Sequence, residues 1–190
     1  MSFSAVILAG GKSSRMGRDK AFLEIGRQTL LARQIQIVQE AGATEVFISG
    51  RADVDYSVFG LRVLADKFSD AGPLAGIHAA LLAAGNSLLL ALAVDLPEIC
   101  PSFLNNLMAR ATTECGVIPR VAGQIEPLAA FYPRVTAGLA GTMLAKKNFA
   151  AQEFARTCIA TGQAIFTDFP AEDASYFKNL NSPADLLCLN

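Results

Sequence analysis

The stretch that decides the fold is Ala5–Lys20, AVILAGGKSSRMGRDK. Its first five residues are apolar and have the length of a buried strand. The adjacent Gly10 and Gly11 then allow backbone N–H groups to come close to a ligand, because no Cβ atom intervenes. Such amides form an anion-binding concavity, and Lys12, Arg15 and Lys20 bring positive charge to it. These residue types suit a triphosphate.

Two common phosphate-binding loops do not match this stretch. A P-loop needs Gly-x-x-x-x-Gly-Lys-Ser/Thr, and Gly11-Lys12-Ser13 supplies its second half, but residue 6 is valine rather than glycine. The dinucleotide-binding fingerprint Gly-x-Gly-x-x-Gly needs alternate glycines, whereas these glycines are adjacent. The loop is therefore of a third type.

The composition indicates one apolar domain over residues 1–190. Hydrophobic residues make up 52% and charged residues 17% of the chain, and the formal net charge is −1. The longest aliphatic run, Leu88–Val94, is far shorter than the roughly 20 residues of a membrane span. The apolar character therefore predicts a parallel sheet covered on both faces. The balanced charge argues against nucleic acid as a partner, and the run length argues against a membrane.

The cysteines are scattered and form no Cys-x-x-Cys pair, which argues against zinc and thioredoxin-like sites. We expect reduced, mostly buried thiols in a cytoplasmic protein. No basic segment precedes the first strand, so no signal peptide is expected. The four cysteines are Cys100, Cys115, Cys158 and Cys188.

Strand-like and helix-like segments alternate over the first 110 residues, which predicts βαβ units and a mainly parallel sheet. Helices are expected after Thr29, over residues 72–84 and from Pro101. Further strands are expected at Glu45–Ser49, Arg62–Ala65 and Leu88–Val94, the last at the centre of the sheet. Residues 120–132 break the alternation and predict antiparallel pairing. Tyr176–Asn181 alternates crudely between apolar and polar residues.

Polar or glycine residues follow four of the predicted strands: Gly10-Gly11, Ser49, Asp66 and Asp95. Ligands of open α/β sheets bind outside the carboxyl ends of the strands, so these residues are expected within reach of one nucleotide. Asp95 follows the central strand and is well placed for Mg²⁺, which takes carboxylate and phosphate oxygens. Asp-x-Pro is also a frequent turn signal, so the residues alone leave both interpretations open.

Residues 8–20, Leu-Ala-Gly-Gly-(x)3-Arg-Met-Gly-x-x-Lys, resemble the signature of nucleotidyltransferases that act on the molybdenum cofactor. The resemblance is closest to the molybdenum cofactor guanylyltransferase family and runs from about residue 5 to 187. It implies an α/β, Rossmann-like fold with a mainly parallel sheet between helices and a small antiparallel addition. It also implies transfer of GMP from GTP to molybdenum-carrying molybdopterin, with Mg²⁺ as cofactor and pyrophosphate as product.

The resemblance further implies roles for individual residues. The nucleotide would bind Leu8, Ala9, Gly10, Gly11, Lys20, Ser49, Asp66 and Asp95. The catalytic groups would be Arg15, Lys20 and Asp95, with Asp95 also binding the metal. Ser49 stands where that family is expected to carry an asparagine. Gln124–Leu128 resembles its x-Pro-Leu segment, and Asn179 and Asn181 would hold the pterin, because amides supply both donors and acceptors.

Three alternatives remain open. A sibling enzyme would use CTP on the same pterin, although such sequences tend to read Leu-Ala-Ala-Gly rather than Leu-Ala-Gly-Gly. Another small-molecule nucleotidyltransferase would use a sugar or alcohol phosphate. A non-catalytic nucleotide-sensing module would keep the fold without turnover. If the chain is a guanylyltransferase, handover of its product implies contact with cofactor-synthesis proteins or molybdoenzyme chaperones.

Overall fold

The computed structural model describes residues 1–10, 19–64 and 72–180. Within these ranges, strands and helices alternate much as the sequence predicts. The strands are β1 (Phe3–Leu8), β2 (Glu24–Ile25), β3 (Gln28–Thr29), β4 (Ala43–Ser49), β5 (Arg62–Leu64), β6 (Leu88–Ala93), β7 (Gly116–Val121), β8 (Gln124–Ile125), β9 (Ala129–Pro133) and β10 (Ala164–Phe169). The α-helices are α1 (Leu30–Glu40), α2 (Gly72–Ala83), α3 (Pro101–Met108), α4 (Ala137–Ala145) and α5 (Ala151–Ala160).

The central sheet is mainly parallel, and β6 lies at its centre as predicted. Among the described residues the strand order is β10-β7-β9-β6-β1-β4-β5, with β8 paired to β7 and with β2 and β3 forming a separate hairpin. β1 is parallel to β4 and β6, whereas β9 is antiparallel to β6 and β7. The α/β class and the antiparallel pairing expected for residues 120–132 are therefore confirmed.

Helices cover both faces of this sheet, which explains why its inner strands are continuous apolar runs. All six residues of β1 and all six of β6 are buried. Along β1 the side chains alternate between two cores. Ile7 belongs to the core that contains α1 and α3, and Val6 belongs to the core of α2, α4 and α5.

Local signals in the sequence fix the ends of α1. The Thr29 hydroxyl accepts a hydrogen bond from the Ala32 N–H at 3.2 Å, which satisfies one of the unpaired amides at the helix N-terminus. At the other end, Gly42 has φ of +96°, a conformation that glycine adopts without steric cost. The predicted helix after Thr29 is therefore confirmed, and so is the start of α3 at Pro101.

The crude alternation of Tyr176–Asn181 does not produce a strand. Ala171–Phe177 forms a 3-10 helix instead. The apolar residues of this segment pack into the core individually: the Phe177 ring meets that of Phe103 edge-on at 5.4 Å, and Leu180 is only 1% exposed. Side-chain packing against α3 therefore takes the place of sheet pairing here.

The expectation of mostly buried thiols is correct for Cys158 alone among the described cysteines. Burial raises the pKa of the Cys158 thiol to about 12, so this group stays protonated. Cys100 and Cys115 are partly exposed, and Cys188 lies outside the described residues. Across the described ranges, no helix combines the length and apolarity needed to cross a bilayer.

Candidate active site

Three parallel strands end side by side at the carboxyl edge of the sheet. Leu8 of β1 lies in register with Ser49 of β4, and the Leu8 carbonyl accepts the Val94 N–H at 3.2 Å just beyond β6. The Ser49 carbonyl accepts the N–H groups of both Ala9 and Gly10, at 2.8 and 3.0 Å. The chain after β1 thus leaves the sheet between the ends of β4 and β6.

Gly10 is the exposed residue at this exit, and the residue before it, Ala9, is buried. A Cβ atom at Gly10 would lie 3.6 Å from the carbonyl carbon of Gly50, an ordinary van der Waals distance. The described fold therefore does not itself require glycine at position 10. Close approach of a ligand or of the adjoining loop is the remaining physical reason for it.

The structure brings together two of the predicted catalytic residues, which are 75 positions apart in the chain. The Lys20 ammonium Nζ lies 2.8 Å from Asp95 Oδ2, and the two side chains are 18% and 22% exposed. Asp95 follows the end of β6 by two residues, at the middle of the carboxyl edge. A partly buried pair is less screened by solvent than a surface pair, so it can orient both charges before a substrate arrives.

A hydrogen-bond network supports the backbone next to Lys20. One Asp19 oxygen accepts the Ala21 N–H at 2.9 Å and so caps the short 3-10 helix that contains Lys20. The other Asp19 oxygen accepts the Tyr56 hydroxyl at 2.8 Å, and that hydroxyl in turn accepts the Arg51 N–H at 3.2 Å. Burial, with the bond to Asp19, raises the pKa of Tyr56 to about 12, so the phenol remains a donor. Lys20 is thereby tied to the segment that follows β4.

The Ser49 side chain lies between β4 and α2. The residue is 4% exposed. A Cβ atom at Gly76 of α2 would lie 2.2 Å from the Ser49 hydroxyl oxygen, so β4 and α2 approach closely at this point. The small Ser49 side chain therefore sets helix-to-sheet packing, while its carbonyl holds the start of the glycine loop. Its predicted contact with a nucleotide stays a prediction.

Two segments from the second half of the chain meet the end of β6. The Leu180 N–H donates to the Asp95 carbonyl at 2.9 Å, which places the exposed Asn179 next to the Lys20–Asp95 pair. The Ala93 N–H donates to the Leu128 carbonyl at 2.8 Å. Both segments that the resemblance assigns to the acceptor therefore lie at the same edge as the nucleotide loop.

Four predicted site residues lie outside the described residues: Gly11, Arg15, Asp66 and Asn181. Their roles stay predictions. The structure thus brings Gly10, Lys20, Ser49, Asp95 and Asn179 to one edge of the sheet.

The donor set at Asp95 fits Mg²⁺. In the described ranges, no group of three or more histidine, cysteine or acidic side chains is close enough to form a closed metal site. Mg²⁺ is commonly bound through one or two carboxylates together with substrate phosphates and water. A single, partly exposed carboxylate beside a phosphate-binding loop is consistent with that kind of binding.

The sequence predictions missed the supporting residues Asp19, Tyr56 and Glu126. Residues 52–60 read as a polar, irregular segment, and its two aromatic residues, Tyr56 and Phe59, are its one sign of packing. The contact between Tyr56 and Asp19 is long-range, and no local sequence pattern predicts it. Glu126 stands beside the Pro-Leu pair of the Gln124–Leu128 segment. A single acid between two strands gives no local sign that it is partly buried.

Comparisons with known proteins give a consistent result. Residues 5–159 match the model of the family described as MobA-like NTP transferase domain. A protein of Opitutus terrae named as a probable molybdenum cofactor guanylyltransferase is 36% identical, over 97% of this chain and 93% of its own length. The molybdenum cofactor guanylyltransferase of Rhizobium meliloti is 36% identical, over 96% and 88%. The crystal structure of molybdopterin-guanine dinucleotide biosynthesis protein A from Archaeoglobus fulgidus superposes with a TM-score of 0.74 at 20% identity, covering 100% of this chain and 96% of that one.

Proposed function

Because this chain belongs to the MobA-like NTP transferase family, we propose that it transfers GMP from GTP to molybdopterin carrying molybdenum. The products are the guanine dinucleotide form of the cofactor and pyrophosphate. The observation that carries the proposal is the Lys20–Asp95 pair at the carboxyl edge, directly beside the start of the glycine loop. A cation next to a metal-binding carboxylate is the combination that a triphosphate and its counterion require.

The reaction is an in-line displacement at the α-phosphorus of GTP. An oxygen of the terminal phosphate of molybdopterin forms the new P–O bond, and the bond from the α-phosphorus to the oxygen that bridges to the β-phosphorus breaks. Pyrophosphate leaves with the bonding electron pair. The nucleophile is already an anion, so no general base is required. Catalysis therefore depends on positioning and on charge stabilisation.

The residues of the nucleotide side supply that stabilisation in this proposal. The amides of Gly10 and Gly11 and the side chains of Arg15 and Lys20 contact the phosphates and stabilise the departing pyrophosphate. The Asp19–Tyr56 network keeps the Lys20 segment in place, so little reorganisation is needed when charge develops. Further nucleotide contacts come from Leu8, Ala9, Ser49, Asp66 and Asp95.

Asp95 would hold Mg²⁺ together with phosphate oxygens of the nucleotide. When bound, the ion offsets the negative charge of the triphosphate and polarises its P–O bonds. The Lys20 ammonium holds the Asp95 carboxylate at the carboxyl edge. The pterin would be held by Asn179, next to Leu180 whose N–H bonds the Asp95 carbonyl, and by Asn181.

The same proposal places the enzyme in the cytoplasm, where reduced thiols such as those of Cys100, Cys115 and Cys158 are normal. It also implies handover of the product to cofactor-synthesis proteins or molybdoenzyme chaperones.

The deciding experiment measures pyrophosphate release from GTP, CTP, ATP and UTP, each with and without Mg²⁺ and molybdopterin. We expect release from GTP only, and only when both additions are present. Release from CTP alone would keep the mechanism but make the chain a cytidylyltransferase. Binding of GTP without consumption of any nucleotide would contradict the proposal and favour a nucleotide-sensing module.

A further inference from the structure

Glu126 is a partly buried carboxylate that has no partner in the described part of the chain. Its only described polar bonds are made by its backbone: its N–H donates to the Pro119 carbonyl at 2.9 Å, and its carbonyl accepts the Ala129 N–H at 3.3 Å. Burial raises the pKa of the Glu126 carboxyl, and among the described residues no hydrogen bond or ion pair opposes this effect. A partly buried acid without a protein partner costs some stability, and its carboxylate is open to a ligand because no described side chain binds it.

The place of Glu126 in the fold points to the acceptor side of the site. Glu126 begins the turn that leads into β9, and two residues later the Leu128 carbonyl accepts the Ala93 N–H at the end of β6. This turn therefore lies on the β9 side of β6, whereas the glycine loop and Lys20 are reached from the β1 side. Asp95, two residues beyond Ala93, stands between them.

The turn is held rigidly. The hydroxyl of Tyr132, a residue with no exposed surface, donates to the Pro127 carbonyl at 2.9 Å. Ile125 before the turn is buried in the core, and its carbonyl accepts a hydrogen bond from the Gln152 side chain at 3.1 Å. Bonds on both sides of Glu126 thus fix the backbone that carries its carboxylate, which is how a selective polar group is normally positioned.

Resting on the proposed function, we propose that the Glu126 carboxylate binds the 2-amino group and the adjacent ring N–H of the acceptor pterin, and so selects a 2-amino-4-oxo pteridine. A carboxylate offers two acceptor oxygens side by side, and that edge of a pterin offers two parallel N–H donors. Each N–H···O bond would give the carboxylate a partner that no described residue supplies. Guanine carries a similar donor edge, but Gly10, the start of the nucleotide loop, lies on the β1 side of β6.

The test compares two acceptors, 6-hydroxymethylpterin phosphate and its 2,4-dioxo analogue, which lacks the amino group. Their binding to the full-length protein is followed by pteridine fluorescence, for which the chain is suited because it has no tryptophan. Wild type is expected to bind the amino compound about 10- to 100-fold more tightly, as bonds to a charged group allow. In E126Q the amide has only one acceptor oxygen, and the ratio should fall to within about threefold of unity.

Glu114→Gln is the matched control, because Glu114 is an exposed acid just before β7, at the opposite edge of the sheet. It should keep the wild-type ratio. An unchanged ratio in E126Q would overturn the inference, even if its Mg²⁺ requirement changed. The inference would also fail if E126Q instead lost discrimination between GTP and ITP, which differ in the amino group of the base.

The binding ratio separates this inference from the proposed function. If wild type discriminates between the two pteridines through Glu126 but releases no pyrophosphate from any nucleotide, the proposed reaction fails and the Glu126 assignment stands. If pyrophosphate release requires GTP and molybdopterin but Glu126→Gln leaves the ratio intact, the reaction stands and the Glu126 assignment fails.

Discussion

The two sides of β6 differ in how their polar groups are satisfied. On the β1 side, Lys20 pairs with Asp95, and Asp19 accepts hydrogen bonds from Tyr56 and from the backbone. On the β9 side, the partly buried Glu126 has no described partner and Asn179 is exposed. The first side carries its charges already oriented, which suits charge stabilisation in a phosphoryl-type transfer. The second side presents polar groups that have no partner among the described residues, which suits selection of an acceptor.

The largest expected effect comes from Asp95, which stands between the two sides. Asp95→Asn keeps the size of the side chain but removes the anion, so it should lower kcat/KM for GTP by about 100- to 1,000-fold with the fold intact. Asp168→Asn is the control, because it removes a carboxylate from an exposed pair, 2.6 Å from Arg120 on β7. Steady-state pyrophosphate release measures both variants. Near-normal turnover in Asp95→Asn would contradict the metal assignment.

Gly10→Ala tests whether the first side is shaped by the nucleotide. The added methyl group would meet only ordinary contacts in the described fold, so the melting temperature should not change. KM for GTP is expected to rise about 10-fold, or about 1.4 kcal/mol, because the loop backbone can no longer come as close to a phosphate.

Gly50→Ala provides the contrast to Gly10→Ala. There a Cβ atom would come within 2.2 Å of the Tyr56 ring, so stability itself should fall. Thermal unfolding and GTP titration together separate the two effects. A loss of stability in Gly10→Ala with unchanged GTP binding would show that this glycine serves the fold.

Two tyrosine-to-phenylalanine substitutions each remove one hydroxyl group, one on the β1 side of β6 and one on the β9 side. Tyr56→Phe removes the hydroxyl that bonds Asp19, and Tyr132→Phe removes the one that bonds Pro127 next to Glu126. Each loss should cost about 1 kcal/mol of unfolding free energy. Tyr56→Phe should lower kcat/KM for GTP by about 2- to 10-fold. Tyr132→Phe should raise KM for the acceptor by a similar factor. Equal effects on both substrates would mean that the two sides do not act independently.

The smallest expected effect lies at the amino edge of the same strands. Glu45 of β4 accepts hydrogen bonds from the Ser4 hydroxyl at 2.5 Å and the Gly85 N–H at 2.8 Å, and these bonds lower the pKa of its carboxyl below the usual 4.5. A lowered folded-state pKa stabilises the fold above about pH 4.5, and this contribution is lost as the pH falls through the folded-state value.

Glu45→Gln should therefore lower the unfolding free energy at pH 7 by less than about 1 kcal/mol and weaken its fall between pH 5 and pH 3, on the order expected for a partly exposed carboxylate. Urea unfolding at several pH values measures this effect. Activity at pH 7 should stay at the wild-type level, because the site lies at the other edge. A change in KM for either substrate would show that the two edges are coupled.

The fold was readable from the sequence because its signals are local. The apolar runs of β1 and β6, the Thr29 cap and Gly42 each specify structure within a few residues. Antiparallel β9 was also visible, because residues 120–132 interrupt the strand–helix alternation. The crude alternation of Tyr176–Asn181 predicted no definite element, because a strand and a segment whose apolar residues are buried one by one can both show it.

The site was readable only in part, for a related reason. Gly10 and Asp95 follow strands of the main sheet within two residues, and strand direction alone brings them to one edge, whereas Lys20 was identified through its place in the loop signature. The Asp19–Tyr56 bond joins residues 37 positions apart, and the burial of Glu126 depends on packing between β8 and β9. Neither feature leaves a periodic pattern in the sequence, so each becomes apparent only in the three-dimensional structure.

The hydrogen bond from the Leu180 N–H to the Asp95 carbonyl has a consequence for biosynthesis of the protein. The strands β1, β4, β5 and β6 are all encoded before residue 94, so this half of the sheet can form while the ribosome is still making the rest. Leu180, whose amide bonds the Asp95 carbonyl, is made after all of the described strands. A nascent chain can therefore hold Lys20 beside Asp95 well before the acceptor side exists, and the order of synthesis matches the order in which the two sides become complete.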